Sequence, residues 1–240
     1  MYVFVIIHIR QHIHTQGTNM ILLIANTKGG VGKTSLATSI VAALSKRDKA
    51  VVGVDLDSVN MAASRSWSKN RSEVDGKFYF LAGEVSEQIK KIGADYDEVV
   101  IDAGGFDNTE YRQAISVADV ILIPLLVGSS ANIEGLQKVA ETIEKIRADN
   151  LPKVYGVVTK APHFGTSPEL ERAINEILSD PLTKPCPTTI GDRVWYTRAF
   201  DEGIGILDLE PLKRSEAKYI KSAQDEFLTL FNFIYGENNV

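Results

Sequence analysis

The sequence predicts an α/β fold in three layers, a mostly parallel twisted sheet with helices on both faces. Three observations predict it. Apolar runs of strand length alternate with helix-patterned segments along nearly the whole chain. One such run leads into a glycine-rich loop that opens a helix, the order a phosphate-binding loop requires. Two others, Val51-Val52-Gly53-Val54-Asp55-Leu56-Asp57 and Glu98-Val99-Val100-Ile101-Asp102, end in acids. Strand ends of that kind are where open α/β sheets gather their ligands.

Taken in order, strands are expected near 20–26, 50–55, 78–81, 98–102, 119–124, 153–159 and 186–190, with helices between them. Residues 20–240 are expected to form one domain. The segment 1–19 is read as an extension of doubtful role, since its apolar start is too short to span a bilayer and carries no signal-type cleavage site. A start at Met20, an added edge strand, or a metal site at His8, His12 and His14 are its alternatives, the last lacking any neighbouring acid or cysteine.

The first strand, 20–25, feeds Lys28-Gly29-Gly30-Val31-Gly32-Lys33-Thr34, and the segment Ser35 to Lys46 leaves it as a helix. A P-loop asks for Gly, four free positions, then Gly-Lys-Ser/Thr; here Thr27 stands where the first glycine belongs. Glycines without a Cβ let the backbone curl around phosphate oxygens, and the helix N-terminus adds partial positive charge. Lys33 is expected to reach the β- and γ-phosphates of ATP and Thr34 to ligate Mg²⁺. The ATP-binding set is Lys28, Gly29, Gly30, Val31, Gly32, Lys33, Thr34, Ser35 and Asp102. Asp55 is expected to anchor its strand end, and Asp57 or Ser58 has the alternative of capping a helix over 60–67.

Farther along, apolar residues at 136, 139, 140, 143 and 146 have helical spacing. The turn-rich stretch 161–168 is placed by position beside the adenine. Near the C-terminus Phe227, Leu230, Phe231 and Ile234 form an apolar stripe among Asp225, Glu226 and Glu237, which suits packing on the core better than docking on anionic lipid. The 240 residues carry 44% hydrophobic and 24% charged side chains, so neither a disordered chain nor a membrane bundle is indicated. The single cysteine, Cys186, excludes a disulfide framework and fits a reducing cytosol.

The string KGGVGKT resembles the signature of the ParA/MinD family of P-loop ATPases, and the similarity extends from about Met20 to the C-terminal helix. The resemblance implies that Lys28 of one protomer touches the nucleotide of the other, so that ATP closes a homodimer. It assigns Asp57 to the attacking water and outer-shell Mg²⁺, and Asp102 to a Walker B role, holding Mg²⁺ through water; Lys28, Lys33 and Asp57 are the catalytic candidates. Ala103-Gly104-Gly105-Phe106-Asp107 departs from the family's proline-containing loop, and Gly105 is expected to tolerate substitution less well than Phe106. Segment 190–203 and the helix after it resemble the part of small plasmid-partition ATPases that binds DNA without regard to sequence, giving Arg193, Arg198, Lys213, Arg214, Lys218 and Lys221 as candidates. The net charge of −5 opposes DNA binding unless these residues share one face. Weak ATP hydrolysis, stimulation by a ParB-like adaptor, plasmid cargo, nucleoid association and no membrane contact complete the expectation. A positioning ATPase for a non-DNA cargo and a ligase of the dethiobiotin-synthetase type are the alternatives.

Overall fold

The computed structural model describes residues 20–47, 49–57, 62–71, 76–128, 130–162 and 165–236. The extension 1–19, its histidines and Ser58 lie outside them.

The strands are β1 (Met20–Ile24), β2 (Val51–Asp55), β3 (Phe78–Phe80), β4 (Glu98–Asp102), β5 (Val120–Leu126), β6 (Lys153–Ala161), β7 (Lys184–Pro185) and β8 (Ile190–Gly191). They form one sheet in the order β3-β2-β4-β1-β5-β6-β7, with β8 also on β6, and every pairing is parallel. The helices are α1 (Lys33–Ser45), α2 (Ala62–Asn70), α3 (Val85–Gly93), α4 (Thr109–Val117), α5 (Ser130–Arg147), α6 (Pro168–Ser179), α7 (Val194–Asp201) and α8 (Ala217–Tyr235).

Side-chain alternation along the strands divides the core. Leu22, Ile24, Val51 and Val100 face α1, α2, α7 and α8, while Leu23, Val52, Val54, Val99 and Ile101 face α3 to α6. Both faces are therefore covered, which is why β4 is buried along its whole length. The stripe of α8 is consumed in this packing, with Phe227, Leu230 and Phe231 all buried against the sheet. Among the described residues no helix is long and apolar enough to cross a membrane.

The strand expected at 186–190 is instead two short pieces, β7 just before it and β8 beginning at its last residue. Pro185 and Pro187 supply no N–H to a ladder, so pairing breaks there, although the Cys186 N–H still donates to the Gly156 carbonyl at 2.8 Å. The expected helix around 136–146 is longer at both ends.

The turn after α7 fits flush against α2. Trp67 Nε1 donates to the Ile204 carbonyl at 3.1 Å and Asn70 Nδ2 to the Asp201 carbonyl at 2.8 Å. Between them Gly203 has φ +71°, and a Cβ there would lie 2.5 Å from the Arg71 nitrogen. Gly203→Ala is therefore expected to lower stability by about 2 to 4 kcal/mol, the sum of left-handed strain and overpacking. Urea unfolding checks this, and a midpoint equal to wild type would contradict it.

Candidate nucleotide-binding site

Parallel registration brings three strand ends level, Ile24 beside Asp102 and Asp102 beside Asp55. The loop leaving β1 begins with Asn26, which is 1% exposed. Its amide donates to the Pro124 carbonyl at 2.8 Å, and its Oδ1 accepts the Lys28 N–H at 2.9 Å. A buried amide with both ends engaged thus fixes the loop entrance to β5. Lys28 is half-buried, and its side chain runs past Gly135 of α5: a Cβ at Gly135 would come within 3.9 Å of Lys28 Cδ and 3.3 Å of Asn26 Oδ1.

The loop then curls through Gly30 at φ 73° and Gly32 at φ 90°, both in the left-handed region that favours glycine. A Cβ on Gly29 or Gly30 would meet nothing within 4 Å, so the loop borders open space. Gly32 caps α1 without a side chain, and the first turn carries no acid. The amides of that turn are left for an anion. Below the loop, the Thr159 hydroxyl of β6 donates to the Val31 carbonyl at 2.9 Å.

Lys33 and Thr34 open α1 and bond to different partners. Lys33 Nζ donates to the Lys28 carbonyl at 2.7 Å. Burial pulls its ammonium below the ordinary lysine value, against the opposing charges of Asp102 and Asp57. Thr34 Oγ1 donates to Asp102 Oδ2 at 2.6 Å, whereas Asp102 Oδ1 is buried without a protein partner. Burial pushes the Asp102 carboxyl up to about 7, with the Thr34 bond and Lys33 opposing and Asp55 and Asp57 reinforcing. A buried carboxylate oxygen lacking a donor, next to a threonine hydroxyl and a phosphate loop, fits Mg²⁺ and its water shell.

Asp55 anchors the end of β2: its Oδ1 accepts the Asp57 N–H at 2.8 Å and its Oδ2 accepts the Ser64 hydroxyl of α2. Asp57 sits half-buried on the loop that follows, level with Gly104. A Cβ on Gly104 would stand 3.3 Å from Asp57 Cα, while one on Gly105 would reach ordinary contact, 3.6 Å from the Gly29 nitrogen. The tighter steric constraint of the two glycines is thus at Gly104. Phe106 is 59% exposed beside them. Of the stretch expected near the adenine, His163 and Phe164 fall outside the described residues.

The basic candidates divide into two groups. Arg193 is buried in a bidentate pair with Glu226, its Nε 3.0 Å from Oε2 and its Nη2 on Oε1. Arg198 donates to Glu202 at 2.9 Å, to Glu216 at 3.2 Å and to the Glu210 carbonyl at 2.9 Å. Both guanidiniums are engaged by acceptors of this chain. Lys213, Arg214 and Lys218 are exposed around the start of α8, and Lys221 is exposed in a pair with Asp225. Sequence reading missed Asn26, Gly135, Thr159 and Ser64; only Asn26, a polar residue directly after an apolar strand, left a local signal.

A profile of the family described as CbiA, the CobQ/CobB/MinD/ParA nucleotide binding domain, matches residues 22–204. The chain is 27% identical over 215 residues to the "Maintenance of carboxysome distribution protein A" of Halothiobacillus neapolitanus, covering 86% of this chain and 95% of that protein. It is 25% identical over 226 residues to "Protein ParA" of Rhizobium radiobacter, covering 88% and 96%. Among solved structures, apo McdA from Cyanothece superposes with a TM-score of 0.67 at 18% identity, over 91% of this chain and 100% of that one, a likeness of fold.

Proposed function

This chain belongs to the CobQ/CobB/MinD/ParA nucleotide-binding family, whose ParA and MinD branches are positioning ATPases, and from that premise we propose that it is a Mg²⁺-dependent ATPase that pairs on ATP and segregates replicon DNA. The observation that carries the reading is the pair of lysines in one loop. Lys33 is buried under the loop, while the main chain of Lys28 is pinned at the loop's entrance by Asn26. Two cationic groups at one anion site exceed what a single P-loop requires, and a second protomer's phosphates account for the extra one.

In this reading the amides of Gly29 to Thr34 hold phosphate oxygens, with Val31 and Ser35 in the same contact set. Lys33 balances the charge on the transferred group. The Thr34 hydroxyl would hold Mg²⁺ directly, with Asp102 and Asp57 acting through water, and the ion would supply charge neutralisation for the phosphates. Asp57 orients the attacking water, and hydrolysis to ADP and phosphate separates the protomers. Phosphoryl transfer depends on positioning, so turnover stays slow until a ParB-like adaptor supplies the last group. Lys213, Arg214, Lys218 and Lys221 hold DNA phosphates in the paired state, which places the protein on the nucleoid.

A non-DNA cargo is the second reading, favoured by the similarity to a carboxysome-distribution protein over 86% of this chain. Size exclusion with light scattering tests the core of both. The mass is expected to double from 26.4 kDa with a slowly hydrolysed ATP analogue and Mg²⁺, and to stay single with ADP. A monomer under saturating analogue would remove the reading, and a ligase would turn over ATP only with a small-molecule acceptor.

A further inference from the structure

The turn that presents the exposed cations is built by a residue the sequence placed among them. Arg198, on the last turn of α7, reaches both ends of segment 210–216: one amino group donates to the Glu210 carbonyl at 2.9 Å and the other to Glu216 at 3.2 Å. The same Glu216 oxygen accepts the Leu212 N–H at 3.0 Å, and the Glu216 N–H returns to the Lys213 carbonyl at 2.9 Å. Arg198 Nε completes the fork on Glu202 at 2.9 Å. What this framework holds outward is Leu212, 79% exposed, with Lys213 and Arg214 beside it and Lys218 and Tyr219 in the first turn of α8.

We propose that Arg198 and Glu216 form a positioning clamp that shapes the 210–216 turn into the DNA-backbone contact and does not itself touch DNA. The inference rests on the DNA-binding reading above. Two physical arguments carry it. A guanidinium with each of its three nitrogens on a different acceptor commits three of its five N–H donors within the protein, and with its side chain only 18% exposed it is held in place instead of being free to swing toward a phosphate. Glu202 and Glu216 would repel phosphate from a basic surface unless neutralised where they stand, and Arg198 is paired with both. The surface is made attractive to a polyanion by cancelling its acids internally and leaving the turn's cations outward.

The clamp has a consequence opposite in sign to simple electrostatics. Glu216→Ala makes the surface more positive and frees Arg198; if Arg198 were a phosphate ligand, DNA would bind more tightly. For a clamp, the same change removes the acceptor that fixes Leu212 and Arg198, and binding weakens. The experiment measures binding of a random-sequence DNA duplex, across a salt series, to wild type, Glu216→Ala, Arg198→Gln and the double variant, each with Mg²⁺ and a slowly hydrolysed ATP analogue. Both single variants are expected to bind about fivefold more weakly, the scale of one typical net hydrogen bond. The double variant should be no weaker than either single one, since both break one unit. Lys213→Ala calibrates a true phosphate contact by lowering the salt slope by roughly 1. Nucleotide-driven pairing measured on the same samples confirms that each variant is folded, and trypsin cleavage after Lys213 or Arg214 should quicken in Glu216→Ala. Tighter or unchanged DNA binding by Glu216→Ala overturns the clamp while leaving the DNA reading intact. A wild type that pairs on nucleotide yet ignores DNA removes that reading, and the clamp's role with it.

Discussion

Lys33→Ala protein is expected to lose nucleotide affinity by about a hundredfold or more, whereas Lys28→Ala should bind ATP within about tenfold of wild type and yet stay monomeric. The two lysines lie five residues apart, and one accepts a hydrogen bond from the other through its carbonyl, so the contrast is between roles and not between regions. Lys33 is 8% exposed, and burial already disfavours its charge. It recovers that unfavourable desolvation when triphosphate arrives, which concentrates its binding energy on the nucleotide held by its own chain. Lys28 has its N–H committed to Asn26 and its side-chain carbons against α5 near Gly135, at the rim of the site. Removing it leaves the loop's amides, Lys33 and Thr34 in place. Calorimetry with an ATP analogue and light scattering on the same samples separate the two effects. If Lys28→Ala paired as wild type does, the account of two lysines acting on one triphosphate would fail, even with binding intact.

The parts of this site that could be read from sequence are the parts built from consecutive residues. Apolar runs ending in Asp55 and Asp102 define strands and their ligand-bearing ends together, because a parallel strand buried on both faces leaves few polar positions except at its terminus. The loop from Lys28 to Thr34 was legible for the same reason, its glycine spacing being a backbone requirement. Contacts between distant segments were not. The Asn26 amide meets a carbonyl 98 residues away and Arg193 meets Glu226 across 33. A count of basic residues cannot distinguish an arginine locked in such a pair from one facing solvent, and for that reason the six basic candidates divided only once the helices were placed. The close approach at Gly104 was equally invisible, because it comes from Asp57, on the loop of an adjacent strand.

A stability effect that changes with pH is expected at the far end of β4. Glu98 opens the strand that Asp102 closes, and its side chain is 4% exposed, with one oxygen on Lys49 Nζ at 2.6 Å and the other buried without a protein partner. Burial raises the Glu98 carboxyl above the usual range, and the hydrogen bond and charge of Lys49 draw it back only in part. The sign follows from linkage. A folded-state value above the unfolded one means that the native state keeps its proton longer, so stability falls as pH rises above about 4.5, until the folded group has itself ionised. Lys49→Met removes the compensating cation and lengthens that window upward. The variant should lose about 2 to 4 kcal/mol near pH 8, where only the more distant charge of Arg47 still favours the Glu98 carboxylate, and less near pH 5, since proton uptake as pH falls lessens the need of a buried carboxyl for a counter-charge. Adding Glu98→Gln should restore most of the loss at pH 8, since an amide needs no counter-charge. Denaturant unfolding at the two pH values checks this, and a Lys49→Met penalty that does not change with pH would show that the lysine acts through packing alone. Met20 of β1 and Val51 of β2 are the neighbours in register with Glu98, so what is at stake at this end is the alignment that brings Asp102 level with Ile24 and Asp55 at the other.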